Sequence, residues 1–162
     1  MIILGVDPGL QVTGYGLLDV SSGQPELIEA GVIRSKSSHP LEKRLLDMYN
    51  GLDAVITEFT PEAVSIEDLY SNYQHPKTAV IMGHARGVFY LAAGKAGIPV
   101  FPYSATRIKK SVTGTGHATK EQVSRMICSM LCCDEISGPA DVTDAIAAAL
   151  CHYNVLSHGG VQ

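Results

Sequence analysis

Met1-Ile-Ile-Leu-Gly-Val-Asp7-Pro-Gly-Leu10 opens the chain, and it reads as an apolar strand ending on a carboxylate and a Pro-Gly turn. The β-branched run Ile2–Val6 has the length and composition of a buried strand. Asp7 stands where the strand leaves the sheet. Ala63-Val-Ser-Ile-Glu67 repeats the pattern: a short apolar strand that ends on an acid. In Gly-Pro-Ala-Asp141-Val-Thr-Asp144-Ala-Ile-Ala147, two further acids are spaced i and i+3, so they share one face of an opening helix.

Working outward, Thr13–Val20 and Leu27–Ser35 read as two more strands around the turn Ser21-Ser-Gly-Gln-Pro25. With the first strand they predict an antiparallel meander. His39–Thr60 carries apolar residues at helical spacing and is stopped by Pro61. Lys77–Gly97 reads as a second long helix, Ile98–Tyr103 as a fifth strand, and Ser104 to about Ser111 as a short helix. Thr113–His117 reads as a loop. Thr119 with Gln122 three residues on is a capping box for a helix to about Cys132. The last helix covers Asp141 to about Leu156.

This order predicts an α/β fold: a mixed five-stranded sheet, three antiparallel strands and then two parallel, flanked by helices. One domain over 1–156 and a short flexible tail, 157–162, are expected from the 162-residue length. The first strand should be central, with the Ala63–Glu67 strand beside it. Asp7 and Glu67 would then be neighbours at the carboxyl edge, where open α/β sheets place ligands. Asp68 alternates to the other face and is not expected as a ligand.

Composition narrows the class. Hydrophobic residues make up 46% and charged residues 17%, enough for a core and too few charges for a disordered chain. No apolar run reaches membrane-spanning length, and the N-terminus lacks a secretory pattern, so a cytoplasmic protein is expected. Four cysteines form no C-x-x-C pair; Cys128 and Cys132 share a helix face near His152 in a zinc-compatible set, but buried thiols are the favoured reading. The net charge of −4 conceals an asymmetry. Residues 69–133 carry eight Lys/Arg and one acid, so that segment is +7 and the remainder −11. A basic working face that includes Lys77, Arg107, Lys109 and Lys110 follows.

Four gathered carboxylates repel one another unless a divalent cation offsets the charge. Carboxylate and water ligands suit Mg²⁺, with Mn²⁺ as a substitute. Two such ions in one site can activate water and stabilise the leaving oxygen of a phosphodiester. Each acid alone has an ordinary explanation, as a turn residue or a helix-dipole partner. Together they point to a two-metal nuclease.

Ile3-Leu-Gly-Val-Asp7-Pro-Gly-Leu-Gln-Val-Thr-Gly-Tyr-Gly16 resembles the opening motif of the RuvC family of bacterial Holliday junction resolvases. Met82-Gly-His-Ala-Arg-Gly87, the run Lys110–Val123 and Asp141-Val-Thr-Asp-Ala-Ile-Ala147 resemble its later motifs, in order and at matching spacing. The resemblance implies an RNase H-like fold, a homodimer, and Mg²⁺-dependent paired nicks across a four-way DNA junction in recombination and repair. It carries metal ligation onto Asp7, Glu67, Asp141 and Asp144, and a catalytic basic residue onto Lys120, with Lys109 as a second helical cation. It also implies partnership with the RuvA–RuvB branch-migration motor.

Two positions depart from the family pattern. The segment Asp68–Pro76 is about one residue longer, which leaves Tyr70 or Tyr73 as the aromatic expected to wedge into the junction. Thr143 replaces a more usual small apolar residue. Gly83-His-Ala-Arg-Gly87 permits close approach of a second helix, so Gly83, Arg86 and Gly87 are expected at a dimer interface, unless the glycines pack on the chain's own sheet. Thr113-Gly-Thr-Gly116 is either a loop whose backbone N–H groups can approach phosphate or merely a flexible connection. The rivals are an RNase H-like nuclease that processes ribosomal RNA precursors and a junction-binding protein without catalysis.

Overall fold

The computed structural model describes residues 1–68 and 76–159. Five strands and five helices follow in the order β1 (Ile2–Asp7), β2 (Val12–Asp19), β3 (Glu26–Arg34), α1 (Leu41–Phe59), β4 (Ala63–Glu67), α2 (Pro76–Lys95), β5 (Val100–Tyr103), α3 (Ala105–Thr113), α4 (Lys120–Leu131) and α5 (Ala140–Ser157). The sheet order is β3-β2-β1-β4-β5. β1 pairs antiparallel with β2 and parallel with β4, β2 pairs antiparallel with β3, and β4 pairs parallel with β5. The expected mixed sheet is present, with β1 central.

Element ends differ from expectation by one or two residues. At α3 the helix continues to Thr113 because its left-handed cap falls on Gly114, whose N–H reaches the Lys110 carbonyl. The capping box is formed: the Thr119 N–H donates to Gln122 Oε1 at 2.8 Å, and the Gln122 N–H to Thr119 Oγ1 at 3.3 Å.

Side chains alternate across a strand, and here the alternation assigns each face its helices. Leu4 and Val6 of β1 and Val64 and Ile66 of β4 pack with Leu52 of α1 and Phe89 of α2. Ile3 and Leu18 pack on the opposite side with Ile146 and Leu150 of α5 and Ile127 of α4. Each fully buried Leu, Ile or Phe contributes about 1.5–3 kcal/mol. Asp7 and Glu67 are in phase with the α5 face, since Ile3 and Ser65 both turn toward that helix. The strand period therefore aims both acids at the element that carries Asp141 and Asp144.

Candidate active site

Helix α5 lies unusually close to the sheet, and glycines make room for it. A Cβ on Gly5 would sit 2.0 Å from the Ala145 carbonyl oxygen, and one on Gly14 would sit 1.9 Å from that of Asp141. Gly14 is the register partner of Asp7. The backbone of Asp141 thus rests on the residue that pairs with Asp7. Ala145, Ala148 and Ala149 keep the helix face small, and the buried Ser65 Oγ donates to the Ala148 carbonyl at 2.6 Å, which pins α5 to β4.

Val6 pairs with Ile66, so Asp7 and Glu67 follow side by side on adjacent parallel strands, about 4.8 Å apart at the backbone. Burial pushes the Asp7 carboxyl up from 3.8 to about 7, reinforced in turn by Glu67, Asp144 and Asp141 and opposed by Lys120. Glu67 is raised for the same reasons: burial first, then Asp144, with Lys120 and Lys109 pulling the other way. Asp7 thus lies within electrostatic reach of the three other expected acids, and Glu67 within reach of Asp144. Lys120 Nζ donates to Asp144 Oδ2 at 2.9 Å, which raises the lysine. Glu67, Asp144, Lys109 and Lys120 line a cavity of about 180 Å³ floored by Ile108 and Val123.

Among the described residues, no three His, Cys, Asp or Glu side chains stand close enough to form a finished metal cage. The charge on Asp144 is met by an ammonium instead. The donor chemistry nevertheless fits a hard divalent cation: oxygen-only ligands, half-buried, with burial first and the neighbouring acids second raising the Asp7 carboxyl, a penalty that a bound cation would offset.

The turn after Asp7 is held by residues that carry no motif. The Thr13 hydroxyl donates to the Gly9 carbonyl at 2.9 Å, and Arg44 Nη2 and Ser35 Oγ both donate to the Leu10 carbonyl, the arginine at 2.6 Å. These contacts fix where the strand-end carboxylate points. Nothing in the sequence marks either Thr13 or Arg44 for this role.

The expected DNA-binding residues divide. Lys109 and Lys120 face the acids. Arg107 and Lys110 line a different groove on the far side of α3, with Cys151 and Asn154, and the Arg107 guanidinium lies 5.0 Å from the Tyr103 ring centre. Lys77 is exposed at the start of α2. Tyr70 and Tyr73 lie outside the described residues. Gly83 and Gly87 do not pack on the sheet: a Cβ on either meets nothing within 4 Å. They lie on an exposed face of α2 with Val80 and Leu91, which are 60% and 58% exposed. Arg86 pairs with Asp68 and donates to the Tyr90 hydroxyl at 2.9 Å.

One expectation is narrowed and one is corrected. In the loop 113–116, the Gly114 N–H caps α3 and the N–H of Thr115 is taken by Thr113 Oγ1, which leaves fewer N–H groups for an anion than the four residues suggest. The cysteines are not uniformly buried: Cys151 is, but Cys132 is exposed at the left-handed cap of α4, with Cys128 and Cys133 half-buried beside it. His152 is buried against Phe101, its Nδ1 2.7 Å from the Tyr103 hydroxyl.

Residues 3–152 match the family described as Crossover junction endodeoxyribonuclease RuvC. The crossover junction endodeoxyribonuclease RuvC of Rhodopirellula baltica is 45% identical over 152 residues, covering 93% of this chain and 85% of the relative. The structure of Thermus thermophilus RuvC superimposes with a TM-score of 0.89 at 31% identity, over 98% of this chain and 97% of that one. The T. thermophilus RuvC in complex with Holliday junction substrate matches with a TM-score of 0.87 at 29% identity, over 98% and 96% of the two chains.

Proposed function

The chain belongs to the RuvC family of crossover junction endodeoxyribonucleases, and from that premise we propose that it resolves Holliday junctions by paired nicks on opposed strands, with Asp7, Glu67, Asp141 and Asp144 as its catalytic acids. The observation that carries the reading is the seating of α5, with Asp141 and Asp144, against the strand-end pair Asp7 and Glu67, where burial and the neighbouring acids raise Asp7 to about 7. Neither RNA processing nor a non-catalytic binding role draws support from the relatives, which are named endodeoxyribonucleases.

The family implies a divalent cation, and the four carboxylates would hold it; two Mg²⁺ ions, with Mn²⁺ as a substitute, are the proposal. Bound there, such ions supply water activation and charge neutralisation at the leaving oxygen. The remaining work falls to the chain. Asp7, whose carboxyl is influenced by all three other acids, would hold the cation together with them. Glu67 is positioned by β4, and Asp141 with Asp144 by the close seating of α5. Lys120, paired with Asp144 in this structure, would hold the scissile phosphate, with Lys109 beside it. Ile108 and Val123 wall the cavity and lower its local dielectric, which strengthens these contacts.

A homodimer through the exposed α2 face, with Gly83, Arg86 and Gly87 in or beside it, would place two such centres on one junction. Tyr70 or Tyr73 is the proposed wedge, Lys77, Arg107 and Lys110 the peripheral phosphate contacts, and RuvA–RuvB the proposed partner.

The test is incubation with labelled four-way junction, linear duplex, single strand and structured RNA, with Mg²⁺ and with EDTA. Symmetric, metal-dependent nicks on the junction alone are expected. Cleavage of structured RNA, or of all DNA alike, overturns the reading.

A further inference from the structure

All twelve Lys and Arg residues fall in two stretches. Eight lie within 69–133; the other four, Arg34, Lys36, Lys43 and Arg44, lie within 34–44, where Glu42 is the only acid. Arg44 is committed to the Leu10 carbonyl. Arg34, Lys36 and Lys43 are exposed, and none of them forms an ion pair with the described residues. All three line one open groove of about 920 Å³ between the end of β3 and the start of α1.

The rest of the lining suits the same ligand. Ser37 and Ser38 offer exposed hydroxyls, and Gln11 and Asn50 offer amides. The one carboxylate present, Asp47, is 3.5 Å from His39 Nδ1. Helix α1 opens onto this groove with Pro40 as its cap and no side chain closing its first turn, so the positive end of its dipole adds to the field. Val12 is the only aliphatic lining residue and no Phe, Tyr or Trp contributes, so there is no platform for a base.

Position ties the groove to the acids. β3 runs in the same direction as β1, so both strands end at one edge of the sheet. Arg34 pairs with Val12, two residues before the Gly14 partner of Asp7. β3 stands two strands from β1, roughly 10 Å away. The turn after Asp7 supplies Gln11 to the groove. Lys109 and Lys120 flank the acids on the other side.

We propose that this groove binds the phosphodiester backbone of a junction arm, continuing the path of DNA away from the scissile phosphate through Arg34, Lys36 and Lys43. The inference rests on the endonuclease reading for its ligand. Recognition by cations and hydroxyls without a base platform is sequence-independent, so the groove sets affinity and register, not the cleavage sequence.

The test compares wild type with the triple variant Arg34→Ala/Lys36→Ala/Lys43→Ala, and with the charge-keeping Arg34→Lys/Lys36→Arg/Lys43→Arg. Binding to labelled junction and to linear duplex is titrated without divalent ions over a salt series of about 50–200 mM. The alanine variant is expected to show a slope of log K against log salt shallower by roughly 2–3, about 0.9 for each lost phosphate contact, and affinity lower by at least about tenfold. The charge-keeping variant should restore the slope. An unchanged slope in the alanine variant overturns the proposal. So does saturable binding of inorganic phosphate that the triple removes while the DNA slope stays at its wild-type value, since that would mark a small-anion site. Failure of wild type to cut junctions sinks the resolvase reading instead, and the slope on linear duplex still decides the groove.

Discussion

Lys120 Nζ and Asp144 Oδ2 stand 2.9 Å apart at the rim of the acid cluster, joining the first residue of α4 to the first turns of α5. The lysine side chain is 67% exposed and the aspartate 28%, so the pair is worth little to stability. Its consequence is chemical: an ammonium is held beside the acids, where the proposed mechanism brings the scissile phosphate. Lys120→Gln should therefore lower junction cleavage by roughly 10²–10³-fold, the usual scale for losing one charge-stabilising donor. The melting temperature should move by no more than roughly 2–3 °C. A variant that melts far earlier, or cuts at the wild-type rate, contradicts this role.

Asp7 makes the metal-free protein sensitive to pH in a defined direction. Its carboxyl is raised from 3.8 to about 7 in the fold, so the folded state binds more protons than the unfolded one between those values. Stability from this group is full below about pH 4, falls as pH rises to about 7, and is then constant. Melting in EDTA should show that decline. Divalent cation should reverse it, with a larger gain in melting temperature at pH 8 than at pH 5.5. A gain that is equal at both pH values argues against Asp7 as the compensated charge.

Replacing the same carboxyl by an amide separates stability from catalysis. Asp7→Asn removes the central repelling charge at almost constant shape. In EDTA at pH 7.5 it should stabilise the fold by about 1–2 kcal/mol, while cleavage is lost. Thermal melting and a junction-nicking assay on the same preparation check both. A destabilised Asp7→Asn protein would mean that the acid earns its place structurally.

The acids were legible because strand-end carboxylates and an i, i+3 pair are local patterns. The sheet order followed from the alternation of short strands and long helices, and the Thr119–Gln122 box is likewise written within four residues. What holds the acids together was less legible. Gly5 and Gly14 in a strand read only as weak strand formers; their purpose appears when α5 crosses them. Arg44 bonds a carbonyl 34 positions earlier, and nothing in its own surroundings announces that. The cationic stretch 34–44 was hidden by summing it into an acidic remainder, although its charges are clustered along the chain. In the loop 113–116 the sequence does not show that Gly114 caps α3 or that the Thr115 N–H bonds Thr113 Oγ1, since both contacts depend on where the helix ends.

Gly14 carries a prediction of its own. A methyl group there meets the Asp141 carbonyl carbon at 2.3 Å and its oxygen at 1.9 Å, both backbone atoms that no side-chain rotation relieves. Gly14→Ala should push the start of α5 off the sheet, destabilising the fold by about 2–4 kcal/mol and misplacing Asp141. Cleavage at a temperature where the variant remains folded should still fall by at least about tenfold, because a small displacement of a ligand is costly to catalysis. Normal cleavage by a folded Gly14→Ala protein would show that α5 has more slack than its contacts indicate.

The outer face of α2 tests the assembly. Ala85, Phe89, Ala92 and Ala93 bury one side of the helix against the sheet, while Val80, Gly83, Gly87 and Leu91 leave the other side open and largely apolar. A monomer gains nothing from exposed Leu91, whereas a second copy packed across the glycines would cover it. Leu91→Asp should leave the melting temperature of dilute protein nearly unchanged, since the side chain is exposed in the single chain. In sedimentation velocity the wild type is expected as a dimer and Leu91→Asp as a monomer. Junction cleavage by the variant should lose the pairing of its two nicks, seen as accumulation of singly nicked product on a supercoiled cruciform plasmid. Dimers that persist in Leu91→Asp would place the interface on another face.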